Sequence, residues 1–336
     1  MVAMLAVTES GLFCAAGGFH IDPWRPVDRA LITHAHSDHA KTGSRAYLCS
    51  EEGVDVLRLR LGPGASIQGL PYGETRDFNG VRVSFHPAGH VLGSAQIRVE
   101  HRGAVWGVSG DYKVQPDPTC RPFEPVRCDT FITESTFGLP IYRWPAPHTV
   151  FAEVSEWWRS NQEAGLTSVL FGYSLGKAQR LLRGASSDQG PIMVHPAVAE
   201  FLPAYRSAGV VLPDVPVATA ERVRGADGKA LVIAPPITAD STWMETLGEV
   251  ATAFASGWML VRGFRRRRGG ERGFVLSDHA DWPGLLQAIR ATEARRVLVT
   301  HGAAGPLVRW LREQGWEADA LDAAHRSPSA PAEDHE

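Results

Sequence analysis

The stretch LITHAHSDHA, residues 31–40, places three histidines and an aspartate directly after a short apolar run. These polar residues are His34, His36, Asp38 and His39. Burying such groups at the end of a strand costs free energy unless they gain partners that replace water. Imidazole and carboxylate groups are the ligands that hold Zn²⁺ and related divalent ions in proteins. The stretch therefore predicts a metal-binding loop.

The spacing within this loop favours two metal ions. Where the chain is extended, residues two apart point to the same side, so His34 and His36 can bind one ion. Asp38 and His39 follow in a turn and can reach a second point close by. Two ions need about seven or eight ligands, one of them bridging, so the remaining ligands must come from elsewhere in the chain.

Three further residues lie where a strand meets a loop and could complete the ligand set. His90 lies in PAGHVLGSA, Asp111 follows the strand in VWGVSGDY, and His301 ends VLVTH. The runs ALITHAH, at 30–36, and VLVTHGA, at 297–303, each end an apolar strand with Thr-His and a small residue. We therefore expect a site that is assembled from both halves of the chain.

Composition narrows the class of protein. The chain has 336 residues, 44% of them apolar, and a formal net charge of −3. It can bury a large core, and as a whole it is not a basic nucleic-acid-binding protein. Its four cysteines are scattered without zinc-knuckle spacing, which favours free thiols in a reducing compartment. Without a visible signal peptide or membrane-spanning run, we expect a cytoplasmic protein that does not contact membranes.

The pattern of apolar runs predicts an α/β fold. Short strands dominate the early part of the chain, and helices alternate with strands from about Thr149 onward. A helix is predicted over 278–293. The plain alternative to a functional role for SDHADW is a helix N-cap, with Ser277 or Asp278 accepting from the first turn. The early strands are predicted at Ala30–Thr33, Val81–Phe85, Ala95–Glu100, Ala104–Val108 and Phe131–Thr133.

The order of these residues resembles the metallo-β-lactamase fold. The resemblance rests on His-x-His-x-Asp-His, a later loop histidine, a Gly-Asp after a strand and a terminal Thr-His-Gly. It implies an αββα four-layer sandwich with two divalent ions, Zn²⁺ or Mn²⁺, at the edges of the sheets. The implied ligands are His34, His36 and His90 for one ion, Asp38, His39 and His301 for the other, Asp111 as the bridge, and Asp22, in FHIDPW, as a residue that orients the ligands.

Three other stretches resemble the β-CASP branch of that family, whose members cut DNA or RNA. They are FITESTFG at 131–138, FGYSLGKAQRLL at 171–182 and VLSDHADW at 275–282. In that branch an acid at the position of Glu134 pairs with a histidine at the position of His279, which reaches the scissile phosphate. The resemblance implies catalytic roles for these two residues, together with Asp38 and Asp22.

The same resemblance divides the chain into domains. Residues 1–140 and 273–322 would form the metallo-β-lactamase domain, and residues 141–272 an inserted α/β β-CASP domain. The segment 323–336, rich in Pro, Ser and Ala, is predicted to be a disordered tail.

Nearly the whole chain resembles the bacterial ligase-associated DNA exonucleases. DPWRPVDRALITHAHSDHA, SLGKAQRLL and RGFVLSDHADWPGLLQAIR carry this resemblance. It implies a metal-dependent DNA exonuclease that works in repair alongside an ATP-dependent DNA ligase and a helicase. A histidine at the position of His301 is associated with RNA-cutting members, so an RNA-processing ribonuclease, of the mRNA 3′-end processing or decay type, stays open as the alternative. A small-molecule hydrolase such as a thioesterase should lack the insertion.

Two features suggest contacts with nucleic acid. The run VRGFRRRRGGERG, at 261–273, carries six arginines against one glutamate. Such a run is usually a solvated loop, but beside a phosphodiester site it would attract backbone phosphates without reading sequence. A Gly-Lys pair at a helix start also favours phosphate oxygens. The predicted contacts are Lys177, Arg262, Arg265, Arg266, Arg267 and Arg268.

Overall fold

A computed structural model describes residues 4–261 and 272–321 of the chain. The chain divides into two compact units: the first runs up to Arg143 and resumes at His279, and the second spans Trp144–Asp278. The family resemblance predicts these two boundaries after residues 140 and 272. The predicted tail, 323–336, lies outside the described residues.

The elements follow one another as short strands, then alternating helices and strands. Up to Arg143 they are β1 (Ala6–Thr8), β2 (Gly11–Cys14), β3 (Phe19–Ile21), β4 (Arg29–Leu31), β5 (Ala46–Ser50), α1 (Val54–Leu61), β6 (Ile67–Leu70), β7 (Thr75–Phe78), β8 (Val81–Pro87), β9 (Ala95–His101), β10 (Ala104–Val108) and β11 (Thr130–Thr133). The second unit contains α2 (Pro147–Glu163), β12 (Thr167–Phe171), α3 (Lys177–Gly184), β13 (Ile192–Val194), α4 (Pro196–Ala199), α5 (Leu202–Ser207), α6 (Ala220–Gly225), β14 (Leu231–Ala234), α7 (Thr242–Glu245), β15 (Val250–Ala255) and β16 (Arg272–Phe274). The chain then forms α8 (Trp282–Ala291), β17 (Arg296–Val299), α9 (Ala304–Glu313) and β18 (Glu317–Ala320). Single 3₁₀ turns lie at Glu51–Gly53, Pro236–Thr238 and Gly257–Leu260.

Two sheets form the first unit. One has the strand order β1-β2-β3-β4-β5-β6, and the other has the order β18-β17-β11-β10-β9-β8-β7. Their apolar side chains share one buried cluster, to which Phe19 and Leu31 of the first sheet and Phe85 and Ile97 of the second contribute. This arrangement confirms the predicted α/β class.

Helices α8 and α9 cover the other face of the second sheet. Leu285 and Leu307 of these helices pack with Phe131 and Val297 of the sheet. The prediction for the start of α8 was wrong. The side chain of Asp281 accepts the backbone N–H of Gly284 and so caps the helix, which begins at Trp282. Residues 277–279 therefore precede the helix.

Strand direction collects the candidate site residues at one edge of the second sheet. Strands β10, β11 and β17 are parallel, and β8 runs in the same direction because β8 and β10 are both antiparallel to β9. The carboxyl ends of these strands therefore meet at the same edge. His90, Asp111, Glu134 and His301 each follow one of these ends. In the other sheet, β4 ends shortly before His34.

The second unit contains a parallel five-stranded sheet with the order β13-β14-β12-β15-β16. Its central strands, TSVLF and LVIA, are buried along their whole length because both faces of the sheet are covered. Trp158 and Leu181 belong to the buried cluster on one face, and Phe171 and Phe254 to the cluster on the other.

The predictions about the cysteines and about membrane-spanning segments concern features that the structure describes. All four cysteines are free thiols, as expected. Within residues 4–261 and 272–321, no helix combines the length and the apolar character that crossing a lipid bilayer requires.

Candidate metal centre

The metal-binding loop begins where Thr33 leaves the sheet. Asp22 Oδ1 accepts the backbone N–H of Thr33 at 2.8 Å, and Asp22 Oδ2 accepts the Thr33 hydroxyl at 2.6 Å. Strand β4 accordingly ends at Leu31, short of the predicted end at Thr33. Asp22 itself has a φ of 43°, a left-handed conformation that aspartate tolerates better than most residues.

These contacts determine which nitrogen of each buried histidine carries a proton. Because the Thr33 hydroxyl donates to Asp22, it can accept from His34 Nδ1, which lies 3.1 Å away. His39 Nδ1 lies 2.7 Å from Asp22 Oδ2 and can only donate to that carboxylate. Protons on both Nδ1 atoms leave Nε2 of His34 and His39 as the ligand atoms, the arrangement that supports metal-bound histidines generally.

Four side chains converge in a first group. His34, His36, His90 and Asp111 each offer a ligand atom, all within 4.8 Å of one another. His36 Nδ1 lies 3.1 Å from both His34 Nε2 and His90 Nε2, and Asp111 Oδ2 lies 3.6 Å from His34 Nε2. Ligands around one tetrahedral Zn²⁺ with bonds of about 2.0–2.1 Å are separated by about 3.4 Å. The separations in this group fit a single ion.

A second group forms around His39. Its Nε2 atom lies 3.4 Å from Asp38 Oδ2 and 3.3 Å from Asp111 Oδ2. The ring of His301 stacks on the ring of His39 with centroids 5.0 Å apart, and His39, Asp111 and His301 also offer atoms within 4.8 Å of one another. Asp111 Oδ2 therefore belongs to both groups, which is the position of a bridging carboxylate.

Two buried atoms at this centre fit cations as partners. Among the described residues, neither His39 Nε2 nor Asp111 Oδ1 has a hydrogen-bond partner. Leaving a buried polar atom unsatisfied costs about 1–3 kcal/mol, which a bound ion would offset. The ligand set contains nitrogen and carboxylate oxygen without thiolate, which suits Zn²⁺ and Mn²⁺. The residues present therefore fit a pair of divalent cations.

The electrostatics of the centre also favour cations. Burial holds the pKa of His34 well below its ordinary value, and the neighbouring His39 lowers it further, so His34 is a neutral ligand. Burial also lowers the pKa of His39, but the carboxylates of Asp38 and Asp111 outweigh burial and place this pKa well above its ordinary value. Burial raises the pKa of Asp111, yet His39 reverses this and holds it well below the usual range.

A carboxylate–histidine pair lies beside the first group. Glu134 is fully buried; its Oε1 atom accepts the backbone N–H of Tyr112 at 2.7 Å, and its Oε2 atom lies 2.9 Å from His279 Nδ1. An ionised carboxylate only accepts, so Nδ1 is the donor and Nε2 is the nitrogen of His279 that can act on a substrate. The ring of His279 lies 4.7 Å from the ring of His90, and Asp111, Glu134 and His279 bring ligand atoms within 4.8 Å of one another.

Lys177, a predicted phosphate contact, has a buried side chain. Its Nζ atom lies 3.5 Å from Asp278 Oδ2 and stands over the ring of Tyr173. Its contact with nucleic acid stays a prediction. The other predicted nucleic-acid contacts, Arg262 and Arg265–Arg268, lie outside the described residues.

Two residues that shape the centre were not predicted. Thr33 contacts Asp22, His34 and His39 through its hydroxyl group. A signal for Thr33 was present, because ALITHAH and VLVTHGA both place threonine before histidine. Tyr112 acts through its backbone N–H, so no side-chain pattern could have revealed it.

Curated relatives are similar to all or part of this chain, although no protein-family model matches it. A "Probable DNA ligase" of Opitutus terrae is 34% identical over 314 residues, which cover 93% of this chain and 30% of that protein. An "RNase J-like protein" of Methanocaldococcus jannaschii is 26% identical over 47% of this chain and 43% of that protein. "Endoribonuclease ysh-1" of Neurospora crassa is 30% identical over 34% of this chain and 18% of that protein. The chain thus spans less than half the length of these relatives.

A solved structure has a similar fold. A crystal structure of a protein of unknown function from Enterococcus faecalis superposes with a TM-score of 0.58 at 11% identity, covering 88% of this chain and 79% of that chain. At that identity the likeness concerns the fold alone. The sequence relatives identify the chain as a member of the metallo-β-lactamase family, in the β-CASP branch.

Proposed function

We propose that the protein is a dinuclear metal-dependent nuclease that hydrolyses phosphodiester bonds of DNA from chain ends, in repair alongside an ATP-dependent DNA ligase and a helicase. The observation that carries the metal-dependent chemistry is the shared position of Asp111 Oδ2, 3.6 Å from His34 Nε2 and 3.3 Å from His39 Nε2. A nuclease also fits the relatives, two of which are named as ribonucleases.

Each residue of the centre has a distinct proposed role. Two divalent cations would lower the pKa of a bound water and offset negative charge on phosphoryl oxygens. Asp22 holds His39 through Nδ1, and through Thr33 it also fixes His34. The proposed ligands are His34, His36 and His90 for one ion, Asp38, His39 and His301 for the other, and Asp111 for both.

His279 is proposed to act on the substrate directly. Glu134 accepts the Nδ1 N–H of this ring, and its negative charge stabilises the imidazolium form, in which Nε2 also carries a proton. In that form Nε2 can donate a hydrogen bond or a proton to a phosphoryl or leaving-group oxygen. Burial of Glu134 excludes water from the pair and keeps the ring in one orientation. The proposed catalytic residues are therefore Glu134 and His279, with Asp38 as a ligand and Asp22 as a positioning residue.

The match that covers 93% of this chain favours DNA as the substrate. Nearly the whole of this chain is similar to a segment of a protein named for joining DNA. A nuclease could act together with such a protein by trimming DNA ends to a form that can be joined. The relatives named as ribonucleases, and the position of His301 in the second ligand group, support RNA as the alternative substrate.

The architecture and location complete the proposal. We propose that the two sheets of the first unit are the inner layers of an αββα sandwich, with α1 on one outer side and α8 and α9 on the other. Trp144–Asp278 would be the inserted β-CASP domain. The four free thiols fit a reducing compartment, which we propose is the cytoplasm.

The experiment is digestion of matched single-stranded DNA and RNA, each labelled at the 5′ or the 3′ end, by protein loaded with Zn²⁺ or Mn²⁺. Shortening of the DNA in single-nucleotide steps supports the proposal, and the labelled end fixes the direction. Cleavage of RNA alone would select the alternative substrate. Absence of cleavage of either strand by metal-loaded protein would contradict nuclease function, and His36→Ala protein is the control for contaminating nucleases.

A further inference from the structure

The backbone directly after Asp111 connects two other parts of the metal centre. The N–H of Tyr112 donates to Glu134 Oε1 at 2.7 Å. The carbonyl of the same residue accepts the N–H of Ala280, the residue after His279, also at 2.7 Å. One peptide segment therefore holds the bridging carboxylate and both members of the carboxylate–histidine pair.

The next residue connects this segment to the loop of His90. The N–H of Lys113 donates to the carbonyl of Ala88 at 3.0 Å. The carbonyl of Lys113 packs against Gly89 so closely that a Cβ atom at Gly89, whose φ is +75°, would lie 2.3 Å from it. A shift of Lys113 would thus move the loop that carries His90.

A buried ion pair fixes Lys113. Its Nζ atom lies 3.0 Å from Asp117 Oδ2, and the two side chains are 0% and 2% exposed. Asp117 Oδ1 accepts both the N–H and the hydroxyl of Thr119, at 3.0 and 2.6 Å. Buried ion pairs contribute little net stability compared with apolar pairs of similar volume, so stability alone does not account for this one. Fixing the position of the backbone at Lys113 is the better explanation.

We infer that Lys113 and Asp117 form a positioning pair for the metal centre: the ion pair holds the 111–113 backbone, and through it the bridging carboxylate of Asp111 and the His90 loop. This inference rests on the proposed metal-dependent function. Neither residue offers a ligand atom to the groups described above. Their effect on the ions is therefore indirect, through the position of the ligands.

The test is Mn²⁺ binding to the double variant Lys113→Met, Asp117→Asn, measured by calorimetry and electron paramagnetic resonance. The double variant removes both charges together, so that no single charge is left buried, and the amide oxygen introduced at position 117 can still accept from Thr119. We expect the affinity for Mn²⁺ to fall about 10- to 100-fold, as for other residues that orient metal ligands. The spectrum of two spin-coupled Mn²⁺ ions should give way to that of isolated ions.

The control is Val99→Ala, which opens a cavity in the core between the two sheets. It should lower stability and leave Mn²⁺ affinity unchanged, separating positioning from general destabilisation. If the double variant does not fold, Thr119→Val, which removes only the hydroxyl that Asp117 accepts, should weaken Mn²⁺ binding several-fold. Wild-type affinity in either folded variant would overturn this inference and leave the proposed function intact, whereas wild-type protein that binds no Mn²⁺ would contradict the proposed function itself.

Discussion

Glu134 Oε2 and His279 Nδ1 lie 2.9 Å apart, although 145 residues separate the two in the chain. The contact places an imidazole next to the first ligand group without using it as one of that group's ligands. In the proposed mechanism this ring acts on the substrate, while other side chains hold the ions. The proposal therefore predicts that mutation can separate catalysis from metal binding.

We expect His279→Ala to lower kcat by about 10²–10⁴-fold, the usual contribution of a positioned acid or base. Metal content should stay at the wild-type level. Glu134→Gln should lower kcat less, because the amide oxygen can still accept from Tyr112 N–H. Single-turnover cleavage of labelled DNA and metal analysis of the same samples measure both effects. His148→Ala, at an exposed position, is the control, and full activity of His279→Ala would remove this residue from the mechanism.

Asp22→Asn tests how the ligands are oriented. Asparagine tolerates the left-handed φ of 43° and can still accept from Thr33 N–H, but it loses the charge that holds His39 Nδ1. Zn²⁺ affinity should fall about 10- to 100-fold. Competition with a chelator measures this affinity. Asp55→Asn, on the exposed side of α1, changes the net charge equally and should have no effect; unchanged affinity in Asp22→Asn would show that Asp22 does not orient the centre.

Gly110→Ala tests the turn that delivers Asp111. The φ of Gly110 is +56°, and a Cβ atom there would lie 2.6 Å from the Thr33 side chain. Gly103→Ala is a matched control, because its φ is +80° and no atom lies within 4 Å of its added Cβ. In both variants the free energy of unfolding should fall by about 1–2 kcal/mol, because alanine is strained in the left-handed conformation. Gly110→Ala should lose more and also bind metal more weakly; equal losses in urea titrations, with equal metal binding, would contradict the close packing.

Neutralising the arginine run tests its predicted contact with phosphates. Replacing Arg265–Arg268 with glutamine should weaken binding of single-stranded DNA to metal-free protein. The slope of log K against log salt should flatten by about 0.7 for each lost contact. Fluorescence anisotropy at several salt concentrations gives the slope. Arg102→Gln, in the turn between β9 and β10, should leave the slope unchanged, and an unchanged slope in the quadruple variant would reject the predicted contact.

Strands with apolar runs between turn residues were predictable from local sequence. The prediction of Ala104–Val108 coincides with β10, because Gly103 and Ser109-Gly110 break the pattern on both sides. Thr33 was predicted to lie in a strand because the residues directly before it are apolar. What ends β4 there is Asp22, a partner outside the local window.

The start of α8 was misplaced although a local signal was present. Ser277, Asp278 and Asp281 are all residue types that cap helices, but Pro283, in the first turn, favours Asp281 as the cap. Asp278 instead pairs with Lys177, which lies far away in the sequence. A local motif predicts that a charged residue begins a helix. It does not predict which distant residue will pair with that charge.

Some candidate ligands could be recognised from the local sequence, and others could not. The loop with His34, His36 and His39 was recognisable by itself, because packing gives no reason for such crowding. His90 and Asp111 are ordinary residues locally, and only their place after parallel strands of one sheet brings them together. Contacts made by backbone atoms, such as Tyr112 N–H on Glu134, have no sequence signal at all.

The most direct measurement is anomalous diffraction from crystals of the protein grown with Mn²⁺ or Zn²⁺. We predict two peaks about 3.5–4 Å apart, one among His34, His36 and His90, the other among Asp38, His39 and His301, with Asp111 between them. A single ion, ions bound elsewhere, or no anomalous peak among these side chains would contradict a dinuclear centre.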